Sequence, residues 1–129
     1  MDERRKIQRK QTDQFFGVFD RETGDFIGKL IDLSTKGTML QAVLSMDTGS
    51  IYEFKIDFPE PVAGKRSLSF DAECIWCRKS TSSKENYDIG FEITDMELEE
   101  IETIQYLLND ALFHDPEQQP RLTLAKKLT

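Results

Sequence analysis

A strict two-residue alternation, recurring along the chain without helical periodicity between its repeats, is the strongest constraint on the fold. In residues 51–58, Tyr52, Phe54, Ile56 and Phe58 alternate with Glu53, Lys55 and Asp57. In 67–78, Leu68, Phe70, Ala72, Cys74 and Trp76 alternate with Ser69, Asp71, Glu73, Ile75 and Cys77. Residues 87–93 repeat the pattern, with Tyr87, Ile89, Phe91 and Ile93 set against Asp88, Gly90 and Glu92. Side chains of a strand point to opposite faces in turn, so each segment predicts one buried and one wet face.

Turn chemistry supplies the remaining strands. Apolar runs at 15–19 and 26–31 flank 20–25, where Gly24 allows a hairpin loop, and a third strand is expected at 38–43 before the turn at 47–50. Pro59, Pro61 and Gly64 are expected to end the fourth strand, and the polar loop 80–86 the fifth. Six short strands without intervening helices predict a mostly β fold, a six-stranded antiparallel barrel whose closure removes exposed edges. A C-terminal α-helix follows. Thr94, Asp95, Met96 and Glu97 read as its capping box, and Leu98, Ile101, Ile104, Leu108, Ala111 and Leu112 as its apolar stripe, with His114 as a cap near its end. The expected organisation is a flexible basic arm over 1–13, barrel plus helix over 14–113, and a polar tail over 114–129 that carries Leu122, Leu124, Lys126, Lys127 and Leu128.

Charge narrows the function. The chain of 129 residues is enough for one core, and its net charge of −7 excludes a broad basic surface for DNA or RNA. The cations Arg4, Arg5, Lys6, Arg9 and Lys10 crowd the N-terminus, a cluster suited to a small anion. No apolar stretch follows them and none is long enough to span a bilayer, so no membrane insertion and a cytoplasmic location are expected. Cys74 and Cys77 form a lone C-x-x-C on a strand, where residues three apart face opposite ways. With His114 the only histidine, they make no metal site and read as small packed hydrophobes.

Two clusters carry chemistry. Arg5 and Arg9 form an R-x-x-x-R arm, and Asp32, Ser34 and Gly37 form a D-x-S-x-x-G turn at the end of the second strand. An arginine fork matches guanine O6 and N7, or a pair of phosphate oxygens, in a way lysine cannot. Guanine's N–H edge calls for a carboxylate, which Asp32 supplies, while Ser34 adds a hydroxyl and Gly37 leaves room and permits positive φ at the turn. Either cluster alone is commonplace, as a solvated tail or an Asx turn. Their order, with a hairpin between them, is far more specific.

These motifs, the run from Ile27 to Ser34, Trp76 late in a long strand and the Gly90-Phe91 pair make residues 1–113 resemble the PilZ family, bacterial domains that bind the second messenger cyclic di-GMP. The resemblance implies a six-stranded barrel with a C-terminal helix and no enzymatic activity. It implies cyclic di-GMP as ligand, held by Arg5, Arg9, Asp32, Ser34 and Gly37. Arg4 stands just before the arginine motif, where the family sets whether one ligand or a stacked pair is bound, so two ligands per chain are expected. It further implies a switch in which the arm orders over the barrel and changes contact with an unidentified protein effector. The alternative is a PilZ-like interaction module that does not depend on the messenger. An enzyme is disfavoured by the lack of a Ser/His/Asp or Cys/His set and of any phosphate-binding glycine loop.

Overall fold

The protein, seen here as a computed structural model, is described for residues 10–109 and 113–115. Among these residues, eight strands, β1 (Lys10–Thr12), β2 (Gly17–Asp20), β3 (Phe26–Leu33), β4 (Gly37–Ala42), β5 (Ile51–Val62), β6 (Lys65–Lys79), β7 (Tyr87–Asp95) and β8 (Phe113–His114), accompany one helix, α1 (Leu98–Leu108). The hydrogen-bonded order is β2-β5-β6-β7-β4-β3, and β3 returns to β2, which closes six antiparallel strands into a barrel. All six expected strands are present, and the mostly β barrel with one C-terminal helix is the fold.

The barrel is split along β3. Its first half pairs with β2 as far as Lys29, while Asp32 and Leu33 pair with Gln11 and Lys10 of β1. On its far side β1 pairs with β8. Lys10, Gln11 and Thr12, placed in the arm by sequence, are therefore strand, because β3 offers an edge that β2 leaves unpaired. His114 likewise belongs to β8 and caps no helix; its Nε2 lies 3.7 Å from Asp13 Oδ2.

Inward residues fill the barrel as the alternation predicts. Val18, Leu30, Leu40, Phe54, Ile56, Leu68, Phe70 and Ile89 are almost wholly buried. Phe54 stands at the centre, with its ring edge-on to Phe91 at 5.0 Å and to Phe70 at 6.2 Å. The β2–β3 loop is held by the Asp20 carboxylate, which accepts the backbone N–H groups of Thr23 and Glu22 at 2.9 and 2.8 Å. Those bonds, the one from Thr23 first, hold its carboxyl below the usual carboxylate range.

Three local expectations give way to the structure. Pro59 and Pro61 do not end the fourth strand, since β5 runs to Val62. Between the pairs Asp57–Ser67 and Val62–Lys65, residues 58–61 face only Arg66. Both prolines sit in this bulge, where no ladder N–H is required of them. The chain then reverses at Ala63 and Gly64, with φ of 51° and 81°, a two-residue hairpin.

The capping box is absent because β7 continues through Thr94 and Asp95, and Glu97 becomes an N-cap without a side-chain hydrogen bond. Leu98 is left exposed, and the helix buries Thr103, Ile104, Leu107 and Leu108; Ala111 and Leu112 lie outside the described residues. An ion pair from Lys65 to Glu100 at 3.1 Å ties α1 to the start of β6.

The third departure is a bulge in β6. Cys74 pairs with Phe91 but Trp76 with Gly90, so Ile75 is the extra residue and the alternation resets. Trp76 leaves the core for the outer face, and Cys77 returns to pack against the core near Cys74 instead of facing away. Burial, followed by the nearby Cys77 thiol, pushes the Cys74 thiol up, which keeps it protonated and inert. Both cysteines are free thiols.

Candidate functional site

Asp32, Ser34 and Gly37 are brought together at the tight connection between β3 and β4. A bulge between Leu30 and Asp32 restores Leu33 to the core and sets Asp32 opposite Met39, whose strand neighbours Thr38 and Leu40 are buried. Asp32 thus stands on the outer face, though only 5% exposed. Its backbone carbonyl accepts the buried Thr38 hydroxyl at 2.7 Å, which fixes the strand end.

Ser34 shapes the turn. Its Oγ accepts the N–H groups of Lys36 and Gly37 at 3.1 and 3.0 Å and donates to the Gly37 carbonyl at 3.2 Å, while its own N–H meets that carbonyl at 2.9 Å. One donor and two acceptor sites are a hydroxyl's whole capacity. Ser34 is therefore occupied in holding the chain's reversal beside Asp32.

Gly37 is needed for a different reason than a turn's φ, which among the described residues is positive only at Ala63, Gly24, Gly49 and Gly64. A Cβ here would lie 2.6 Å from the Phe91 carbonyl oxygen on β7. Backbone cannot yield as a side-chain tip can, so Gly37→Ala is expected to pry β4 from β7 and cost about 1–3 kcal/mol in chemical denaturation. An unchanged midpoint would show that the ladder absorbs the methyl.

Arg4, Arg5 and Arg9 lie outside the described residues. β1 begins at Lys10, one residue after Arg9, and its Lys10 and Gln11 pair with Leu33 and Asp32. Lys10 therefore stands beside the strand end that leads into the Asp32–Gly37 turn.

Cross-strand register extends the outer face beyond the motif. One row runs Asp32, Met39, Gly90, Trp76 over β3, β4, β7 and β6; the next runs Lys29, Gln41, Asp88, Arg78. Trp76 lies against Gly90, where a Cβ would collide with the indole, and the Arg78 guanidinium covers the ring at 4.7 Å. Asp88, nearly buried, accepts the Gln41 amide at 3.2 Å, and Ser80 and Ser82 lie 3.2 and 3.3 Å from the same nitrogen. A groove of about 520 Å³ adjoins these rows, lined by Gln11–Phe15, Lys29–Ile31 and Ser82. Its lining mixes polar side chains with Phe15, Leu30 and Ile31.

Sequence reasoning missed this shelf because it placed Trp76 inside. The signal was available in Gly90 opposite a tryptophan, since a glycine in a strand interior marks close approach. Gly90→Ala is expected to unseat the indole while sparing the core, and as the chain's single tryptophan, Trp76 would report this by fluorescence. An unchanged emission spectrum would contradict the contact.

Among the described residues no group of His, Cys, Asp and Glu is arranged to hold a metal ion, and no helix is long and apolar enough to cross a membrane.

Known proteins share this architecture. The PilZ domain of YcgR from Escherichia coli, solved with c-di-GMP, superposes with a TM-score of 0.64 at 15% identity, covering 95% of this chain and 98% of that one. The inhibitor of motility MotI/DgrA of Bacillus subtilis gives 0.63 at 20% identity, with 80% of this chain covered and 48% of that one. The Klebsiella pneumoniae MrkH–c-di-GMP complex gives 0.61 at 13% identity, over 95% of this chain and 54% of that one. The chain thus spans about half the length of the B. subtilis and K. pneumoniae proteins. No curated protein sequence matches it significantly. The profile of the PilZ domain, however, matches residues 3–110, and with the barrel, the helix and the turn in place the chain belongs to the PilZ domain family.

Proposed function

We propose that the protein is a non-catalytic receptor for cyclic di-GMP. The observation that supports this reading is the pairing of Lys10 and Gln11 with Leu33 and Asp32, since Arg9 directly precedes Lys10 in sequence. In this reading Asp32 accepts from a guanine N–H edge, and Arg5 and Arg9 fork onto a base edge or phosphate oxygens. Ser34 and Gly37 hold the turn and its close approach to β7, so that Asp32 is presented rigidly. Trp76, braced by Arg78 and seated on Gly90, offers a flat face in the same row. Arg4 extends the cationic arm and supports a second, stacked ligand.

The family profile and the c-di-GMP complexes of YcgR and MrkH support the ligand. Binding orders the arm, and the changed surface is read by a separate protein effector in the cytoplasm.

Calorimetric titration with cyclic di-GMP, with GTP and cyclic GMP as controls, tests the proposal. A saturable heat for cyclic di-GMP alone is expected, at two equivalents per chain if Arg4 has the role given it. Saturation at one equivalent removes the second ligand, and no heat at all removes the receptor reading.

A further inference from the structure

We propose that an aromatic patch at the β2–β3 hairpin docks a segment of another protein that is apolar on one side and rich in lysine or arginine. Phe15 and Phe26, 60% and 52% exposed, stack with ring centroids 6.1 Å apart, and Phe19 meets Phe26 edge-on at 5.4 Å. Gly17 lies beneath two of these rings, since a Cβ there would come within 3.0 Å of Phe19 and 3.4 Å of Phe15. The rings are thus seated against backbone as one continuous surface. Ala42 pairs with Gly28, so the exposed Val43 and Leu44 that follow it leave β4 beside the Phe26 end of β3. A lone exposed ring needs no explanation, but three in contact mark a surface that a partner covers.

The rim selects the partner's charge. Phe19 pairs with Phe26, so Asp20 and Asp25 flank that pair and Glu22 sits in the loop between them. Glu22 and Asp25 are exposed and form no ion pair among the described residues. Neighbouring cations do not cancel this rim. Arg21 pairs with Asp71, and Lys55, opposite Phe19, pairs with Asp57 at 3.5 Å. Lys29, opposite Gly17, lines the groove at the end of the patch away from the loop.

The same rim disfavours other occupants. A second copy packed patch on patch would bring two acidic loops to one interface between chains that each carry a net charge of −7. The negative surface of an anionic bilayer would repel the loop likewise. Apolar contact bordered by cations satisfies both parts of the surface.

The test follows amide shifts of the full chain during titration with a synthetic amphipathic Leu/Lys peptide. It is run without cyclic di-GMP, so its outcome does not depend on the receptor reading. Saturable shifts are expected at Phe15, Phe19, Phe26, Val43 and Leu44. Affinity should fall about tenfold or more in Phe15→Ser/Phe26→Ser and in Glu22→Lys/Asp25→Lys, exposed changes that leave the barrel core intact. A Leu/Glu peptide of the same length should fail to bind. Equal binding of that peptide, no saturable shift, or shifts centred on another acidic surface, such as Glu73 and Glu92 facing each other on β6 and β7, would overturn the proposal. So would patch shifts produced by concentrating the protein alone, which would assign the patch to a second copy, or by phosphatidylglycerol vesicles, which would assign it to lipid.

Discussion

Phe54→Ala is expected to remove about 3–5 kcal/mol of stability, the largest loss for any single truncation in the barrel. Its ring is 1% exposed and lies against Phe91, Phe70 and Tyr52, whose centroids are 5.0, 6.2 and 6.0 Å away. These neighbours come from β5, β6 and β7, three strands that cannot move together to refill the space. Domains of this size are stable by roughly 5–15 kcal/mol, so the variant would lose a large share of its margin. Urea unfolding followed by circular dichroism should show a lower midpoint with an unchanged slope. A shift under about 1 kcal/mol would mean that the core collapses around the cavity. Ligand binding by the folded fraction should persist, because Phe54 does not reach the outer face.

Arg9→Ala, Arg5→Ala and Asp32→Ala are each expected to weaken cyclic di-GMP binding by about 1–3 kcal/mol, roughly fivefold to 150-fold, while the arginine variants unfold as the wild type does. Each removes a bidentate or charge-assisted contact that water cannot replace at equal strength. Asp32→Asn is the sharper test at that position, because it keeps the shape of a side chain only 5% exposed while removing the charge. Arg→Lys changes should fail to restore affinity, since an ammonium lacks the planar fork. Added salt should weaken binding as well, the arm being cationic. Calorimetry checks all of these, and normal affinity in both arginine→Ala variants would contradict the assignment.

The barrel was legible because burial writes a period of two into a strand, which three segments carried, while turn residues bounded the other three apolar runs. What the alternation could not reveal were its interruptions. The bulge at Ile75 reverses the facing of Trp76 and Cys77, and no residue type in the segment announces it. The same holds at 58–61, where prolines that normally end a strand are absorbed by a stretch facing only Arg66. The capping box failed because Thr94 satisfied the pattern while the β6–β7 ladder, reaching Asp95, competed for the same residues.

Asp32, Ser34 and Gly37 do meet at one turn, but two of them hold it by contacts their spacing does not reveal. The serine hydroxyl is committed to the turn, and the glycine answers to the Phe91 carbonyl rather than to φ. The Gly37–Phe91 approach joins strands distant in sequence, so the motif alone could not announce it.

The central claim is that cyclic di-GMP binds across the outer face at the β3–β4 turn. Amide and indole chemical shifts of the full chain, followed during titration with the messenger, test it most directly. The account predicts saturable shifts at Asp32–Gly37, Met39, Gly90 and the Trp76 indole N–H, with α1 unmoved. Shifts centred on α1, or none at saturating messenger, would contradict it.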